Sequence, residues 1–239
     1  MASKLIEYRG EKFEISYEIL NLQAERDVIF LHGWGSNKEI MKQAFGGKFK
    51  GFREIYIDLP GFGRSPNSRF LTTHDYSEIV KLFLQTLKSG GQILVGHSFG
   101  GKVATLINPD CLILLSSAGI SIQKSIIVKA KIAIFKLLNR VGLSKFRELF
   151  VSSDAKGMNE GMYETFKYVV NEDFEPNFHK VTGKTVLFWG DSDSATPLWS
   201  GKKIASIIEG SKLYILDGNH YFFIKHSESI ADTIQNLCK

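Results

Sequence analysis

The string Gly96-His97-Ser98-Phe99-Gly100-Gly101 follows an apolar run at 92–96 and precedes a stretch with helical spacing. A serine between two glycines at a strand-to-helix turn is the setting in which Gly-x-Ser-x-Gly carries chemistry. The turn forces the serine into an unfavourable backbone conformation and pushes its hydroxyl outward. Small residues two positions to either side let the strand and the helix pass each other. A hydroxyl remains a weak nucleophile until a base accepts its proton and a third group orients that base. His220, in Asp217-Gly218-Asn219-His220, follows the last apolar run of strand type and is the expected base. Two aspartates, Asp191 and Asp193, follow the run before it, and one of them should hold the other imidazole nitrogen. The spacing leaves open which. The chain order Ser, Asp, His and these residue types point to acyl transfer.

The remaining histidines have no such address. His97 adjoins the serine, but neighbouring side chains leave the turn in different directions, so it should point elsewhere. His74, His179 and His226 fall in helical or irregular stretches and are expected to be structural or exposed.

To put an alcohol, an imidazole and a carboxylate on one rim, the chain must supply parallel strands whose carboxyl ends line up. The sequence alternates accordingly. Runs at 4–8 and 12–20 read as an edge hairpin, and those at 27–31, 54–58, 92–96, 111–115, 184–189 and 212–216 read as further strands. Helical spacing appears at 76–88, stopped by Gly90-Gly91, and again at 98–107, 197–208 and 226–237. This alternation predicts an α/β fold: a mostly parallel, doubly wound sheet with an N-terminal antiparallel hairpin. Residues 119–183 break the rhythm with helical pattern and no convincing strand. The expected organisation is a core of 1–118 and 184–239 with a helical cap inserted at 119–183.

Composition sets the outer bounds. The chain has 239 residues, 44% of them hydrophobic and 23% charged, which suits one globular domain with an insertion and excludes a disordered or fibrous chain. No apolar run is long enough to span a membrane, and the amino end lacks a secretory pattern. Cys111 and Cys238 are too few and too far apart for a disulfide framework or a zinc site, and Cys111 reads as a small core residue. A cytoplasmic location is expected. The net charge of +5 does not require nucleic acid, and no nucleic-acid-binding signature is present. The glycine-rich strings match neither a phosphate loop nor a dinucleotide fingerprint, so no metal or organic cofactor is expected.

With these residues in view, the sequence resembles the α/β-hydrolase superfamily from Val28 to the C-terminus, apart from the insertion. The resemblance rests on His32-Gly33-Trp34-Gly35 after the first buried strand, on 58–65 (Asp-Leu-Pro-Gly-Phe-Gly-Arg-Ser), and on the full serine turn. It implies that the backbone N–H groups of Trp34 and Phe99 form the oxyanion hole. It also implies that the triad acid is Asp193, three residues after Gly190 in the Trp-Gly-x-x-Asp pattern. The implied catalytic set is therefore Ser98, His220 and Asp193. Within the superfamily the landmarks are similar to small carboxylesterases, including pimeloyl-carrier methyl ester esterases. Carbon–carbon bond hydrolases of ring-cleavage (dienoate) products are similar around Ser98 and His220.

The leading expectation is a serine hydrolase that cleaves a small-molecule carboxylic ester through an acyl-enzyme. Carbon–carbon bond hydrolysis is the enzymatic alternative. A non-catalytic ligand-binding protein on the same fold is the alternative from another class. Between Lys124 and Arg147 the cap has seven Lys or Arg and no acid, and Lys129, Lys136 and Arg140 share one face if 125–141 is a helix. That face reads as a solvated stripe or as a dock for an anionic carrier. Phe135, Phe146, Phe150, Phe166 and Phe178 could supply apolar area for an acyl pocket.

Overall fold

A computed structural model describes residues 2–121 and 158–238. Eight strands form one sheet, and seven α-helices and a short 3-10 turn accompany it among the described residues. In chain order the elements are β1 (Ala2–Tyr8), β2 (Glu11–Leu20), β3 (Arg26–Leu31), α1 (Lys38–Phe45), β4 (Phe52–Ile57), α2 (Thr73–Thr86), β5 (Ile93–His97), α3 (Phe99–Ile107) and β6 (Cys111–Leu115). There follow α4 (Glu160–Asn171), α5 (Glu175–Phe178), β7 (Lys184–Gly190), α6 (Leu198–Ile207), β8 (Lys212–Leu216), the 3-10 turn Phe222–Ile224 and α7 (Ser227–Leu237).

The strand order is β1-β2-β4-β3-β5-β6-β7-β8. The pairs β1–β2 and β2–β4 are antiparallel, and every later pairing is parallel. The chain leaves β3 toward β4 and then crosses back to place β5 on the other side of β3. Crevices at the carboxyl ends of strands where the winding reverses in this way are the preferred ligand sites of open α/β sheets.

Alternate residues of the central strands feed two separate cores. Ile29, Leu31, Leu94, Leu112, Leu114 and Leu187 face the layer that holds α2, α3 and α6. Val28, Phe30, Val95, Ile113, Leu115 and Phe188 face the layer of α1 and α7. With both faces covered, β5 and β6 are buried along their whole length, and this explains their unbroken apolar sequences.

Three details differ from the sequence reading. Helix α1 was not anticipated; Asn37 caps it, its side chain accepting from the Glu39 N–H. Helix α2 begins earlier, with a capping box between Thr72 and Asp75, and ends at Thr86 before the Gly90-Gly91 expected to stop it. Cys111 and Cys238 form a disulfide that ties the start of β6 to the end of α7, with Cα atoms 6.0 Å apart. A separation of 127 residues in sequence says nothing about distance once α7 lies back across the sheet.

Within 119–183, the described residues form α4 and α5. The expected helix at 125–141, with Lys129, Lys136 and Arg140, lies outside the described residues, as do Phe135, Phe146 and Phe150. Helix α4 is anchored to α3 below it. The buried Lys102 ammonium pairs with Glu172, donates to the Val169 carbonyl at 3.0 Å and lies over the Phe174 ring. No described helix is long and apolar enough to cross a membrane.

Candidate active site

Ser98 sits between β5 and α3 with φ 51° and ψ −113°, a left-handed conformation that a residue bearing a side chain rarely adopts. The close passage of strand and helix holds it there. A Cβ on Gly96 would lie 2.5 Å from the Gly100 carbonyl oxygen, so only glycine fits. The backbone around the serine is bonded on both sides. Its N–H donates to the Leu115 carbonyl at 3.1 Å, and its carbonyl accepts from the N–H of Gly101 and of Ala118. Ser98 remains half-buried between the fully buried His97 and Phe99.

Parallel register carries the other groups to the same rim. Leu31 pairs with Gly96, so the His32-Gly33-Trp34 turn leaves β3 beside the serine turn. A Cβ on Gly33 would come within 3.1 Å of the Ser98 Cβ and 2.9 Å of His97 Nδ1. Gly190 pairs with Leu216, which sets the loops holding Asp193 and His220 side by side. His220 Nδ1 lies 2.8 Å from Asp193 Oδ2. The carboxylate accepts there, so the proton is on Nδ1 and Nε2 keeps its lone pair.

Asp193 is fully enclosed as a side chain, whereas 16% of the His220 side chain is exposed. Burial works to raise the Asp193 pKa, but hydrogen bonds from the His220 ring and the Thr196 N–H pull harder the other way, and it falls to about 2. Asp191, the other candidate for the acid, faces solvent and accepts from the Gly218 N–H and the Ser192 hydroxyl. It shapes the loop, and the contact with His220 belongs to Asp193.

The two residues implied for the oxyanion hole flank the serine. Phe99 opens α3, so its N–H is one of those without an acceptor inside the helix, at the positive end of the helix dipole. The Trp34 ring packs against Phe62, Phe99 and Phe166 at centroid distances of 4.8, 5.4 and 5.4 Å. Phe166 thus brings α4 over this corner of the rim, while Phe178 is buried in the core beneath. His32 secures the Trp34 turn. Its Nδ1–H donates to the Gly33 carbonyl at 2.8 Å, and its Nε2 accepts the Leu59 N–H at 3.0 Å. Burial pushes the pKa of this ring down to about 4, so it stays neutral and keeps that pair of bonds.

His97 turns away from the rim, as its position in the turn suggested, but it is not idle. Its Nε2–H donates to the His220 backbone carbonyl at 3.0 Å, and the two rings lie 4.6 Å apart. The buried Nδ1 has no hydrogen-bond partner among the described residues, which fits a neutral ring with its proton on Nε2. Burial, with the nearby His220 adding to it, lowers its pKa to about 3. Sequence reasoning missed this support and also missed Thr196; a threonine or a buried histidine has no signature apart from its place in the fold. Among the described residues no cluster of three or more His, Cys, Asp or Glu could hold a metal ion.

Comparison with known proteins gives the same frame. A 36% identical match over 87 residues links the chain to the pimeloyl-[acyl-carrier protein] methyl ester esterase of Sodalis glossinidius, covering 36% of this chain and 32% of that one. The uncharacterized hydrolase YugF of Bacillus subtilis is 27% identical over 259 residues, covering 92% and 94% of the two chains. The solved structure of an esterase from Exiguobacterium antarcticum superposes with a TM-score of 0.77 at 21% identity, over 99% of each chain. Residues 28–233 match the family described as alpha/beta hydrolase, and the chain is a hydrolase belonging to that family.

Proposed function

We propose that this protein is a serine hydrolase that cleaves a small-molecule carboxylic ester through an acyl-enzyme, with Ser98 as nucleophile, His220 as base and Asp193 as its orienter. The observation that carries the proposal is the 2.8 Å contact between His220 Nδ1 and Asp193 Oδ2, on the rim where the strained Ser98 turn stands. His220 Nε2 takes the Ser98 proton as the hydroxyl attacks the ester carbonyl. The N–H groups of Trp34 and Phe99 hold the resulting oxyanion, and Asp193 stabilises the imidazolium. The tetrahedral adduct collapses, the leaving alcohol takes the proton from His220, and water then repeats the sequence to release the acid. The Sodalis relative is named for a methyl ester on a carrier protein, and this supports an ester over other acyl substrates.

Residues 119–183 act in this reading as a cap over the core, selecting the acyl group. The basic face expected at Lys129, Lys136 and Arg140 is proposed as a dock for an anionic carrier; activity on a carrier-bound ester should then fall with added salt, while a neutral ester is indifferent. A cytoplasmic location is part of the proposal; in a reducing cytosol the Cys111–Cys238 bridge of the structure would be opened to two neighbouring thiols.

A fluorophosphonate probe tests the core of the reading. One covalent adduct on Ser98 is expected, with Ser98→Ala lowering ester turnover on the order of 10⁶-fold. No adduct, or a Ser98→Ala protein that keeps most of its activity, would overturn it and favour a ligand-binding role.

A further inference from the structure

We propose that Thr196 is a positioning residue for the triad: its hydroxyl, wedged at the junction of the Asp193 carboxylate and the His220 ring, fixes their relative orientation. The inference rests on the serine hydrolase reading above. Thr196 Oγ1 lies 2.9 Å from Asp193 Oδ2, 3.3 Å from His220 Nδ1 and 3.1 Å from the Ser116 carbonyl oxygen. One hydroxyl proton cannot serve both acceptors at full strength. The carboxylate is charged and nearer, so it takes the proton. The hydroxyl lone pairs are then turned to the Nδ1–H, which is shared between Oδ2 and, more weakly, Oγ1.

The carboxylate is saturated as a result. Oδ1 accepts the N–H of Ala195 at 2.8 Å and of Thr196 at 2.9 Å, while Oδ2 accepts His220 Nδ1–H and the Thr196 hydroxyl. Four donors fill the roughly four acceptor sites of a carboxylate and hold its orientation, with the buried Ser116 hydroxyl as a further donor beside it. Thr196 supplies two of the four. The residue is itself buried, and the carbonyl of Ser116, which follows β6 with φ 44°, is the second and more distant acceptor for its hydroxyl. His97 and Tyr221 are the other titratable groups whose rings face His220, at 4.6 and 5.6 Å, and both lie away from this junction's hydroxyl contacts.

The test compares Thr196→Val, which keeps the shape and removes the hydroxyl, with Thr196→Ser, which keeps the hydroxyl. Ester kinetics of the valine variant should show kcat down about 10- to 100-fold at unchanged KM, the size of one lost hydrogen bond to a charged group. The serine variant should recover to within about threefold of the parent. A valine variant within twofold of the parent, or a serine variant as slow as valine, would overturn the role. Proton NMR with nitrogen-15 histidines gives a readout independent of turnover: the His220 Nδ1 proton, assigned by its loss in His220→Ala, should move in the valine variant and return in the serine variant. An unmoved resonance in folded protein would sink the proposal. If the valine variant does not fold, the serine variant alone decides, because a resonance and kcat close to the parent's are required of it. A parent protein that takes no fluorophosphonate would instead sink the hydrolase reading, and the NMR comparison would still answer for Thr196.

Discussion

Asp58 and Asp193 are built almost alike and do different things. Each follows a parallel strand at its carboxyl end, and each side chain is sealed from solvent. Asp58 accepts the Lys38 N–H at 2.7 Å, the Arg64 N–H at 3.0 Å and the Lys38 ammonium at 2.7 Å. Asp193 accepts two backbone N–H groups, the Thr196 hydroxyl and the His220 ring. Burial opposes ionisation at both sites, and the donors overcome it at both, so each pKa lies below the ordinary value. The contrast is in the cation. Lys38 is enclosed with Asp58 on the first turn of α1, so the pair pins the start of that helix to the loop after β4. His220 is partly open and neutral until it accepts a proton, so the same kind of carboxylate becomes a device for moving one. What the partner can do with a proton separates the structural acid from the reactive one.

Exchanging each acid for its amide should break this symmetry. Asp193→Asn keeps the shape but favours the wrong imidazole tautomer, and kcat for a short p-nitrophenyl ester should fall on the order of 10⁴-fold in a protein that still folds. Comparable turnover in the variant would show that Asp193 does not orient the base. Asp58→Asn should have the opposite profile. It leaves the Lys38 ammonium buried with only the more distant, half-exposed Glu39 carboxylate as charge partner, costing about 3–5 kcal/mol in urea unfolding, while kcat per folded molecule stays within about tenfold of the parent. A stable Asp58→Asn protein with no turnover would put that acid in the chemistry and erase the distinction.

The same pair explains what the sequence could and could not disclose. Helix α1 escaped notice because Lys38 occupies one of its inward positions, beside Met41, Ala44 and Phe45. A lysine counts as a wet residue in any periodicity, and only the distant Asp58 makes it an inward one. The strands were easier to read, since a run buried on both faces needs no partner to be recognised. Ser98 and His220 were legible for a related reason: Ser98 stands immediately after such a run, His220 follows the end of the apolar edge strand β8, and parallel strands bring their ends to one edge. Asp191 and Asp193 were not separable from spacing, because the difference lies in which way a short loop folds. Cys111 with Cys238, Thr196 with Asp193, and His97 with the His220 carbonyl are all meetings across loops or layers. Each takes its meaning from a partner that local sequence does not name.

Acid titration sharpens the comparison by the smallest margin. His32 and His97 have native pKa values near 4 and 3 against an ordinary 6.5, so stability is complete above about 6.5 and begins to fall as unfolded molecules take up protons below it. The carboxylates act later. The Asp193 pKa falls from 3.8 to about 2, so its contribution is present above 3.8 and disappears as pH drops through about 2. Integrated over that window it amounts to about 2 kcal/mol. Unfolding free energies measured from pH 7 to 2 should therefore decline in two stages. Asp193→Asn should flatten the lower stage by that amount and leave the slope between pH 6.5 and 4 unchanged. Asp58→Asn should also flatten the acid limb, because its native carboxyl is held below the ordinary value, while starting from a much lower plateau. The Asp193 charge works to raise the His97 pKa against the larger effect of burial, so a changed slope above pH 4 in Asp193→Asn would mean that this coupling governs the upper stage, and the two acids would no longer be separable by their partners alone.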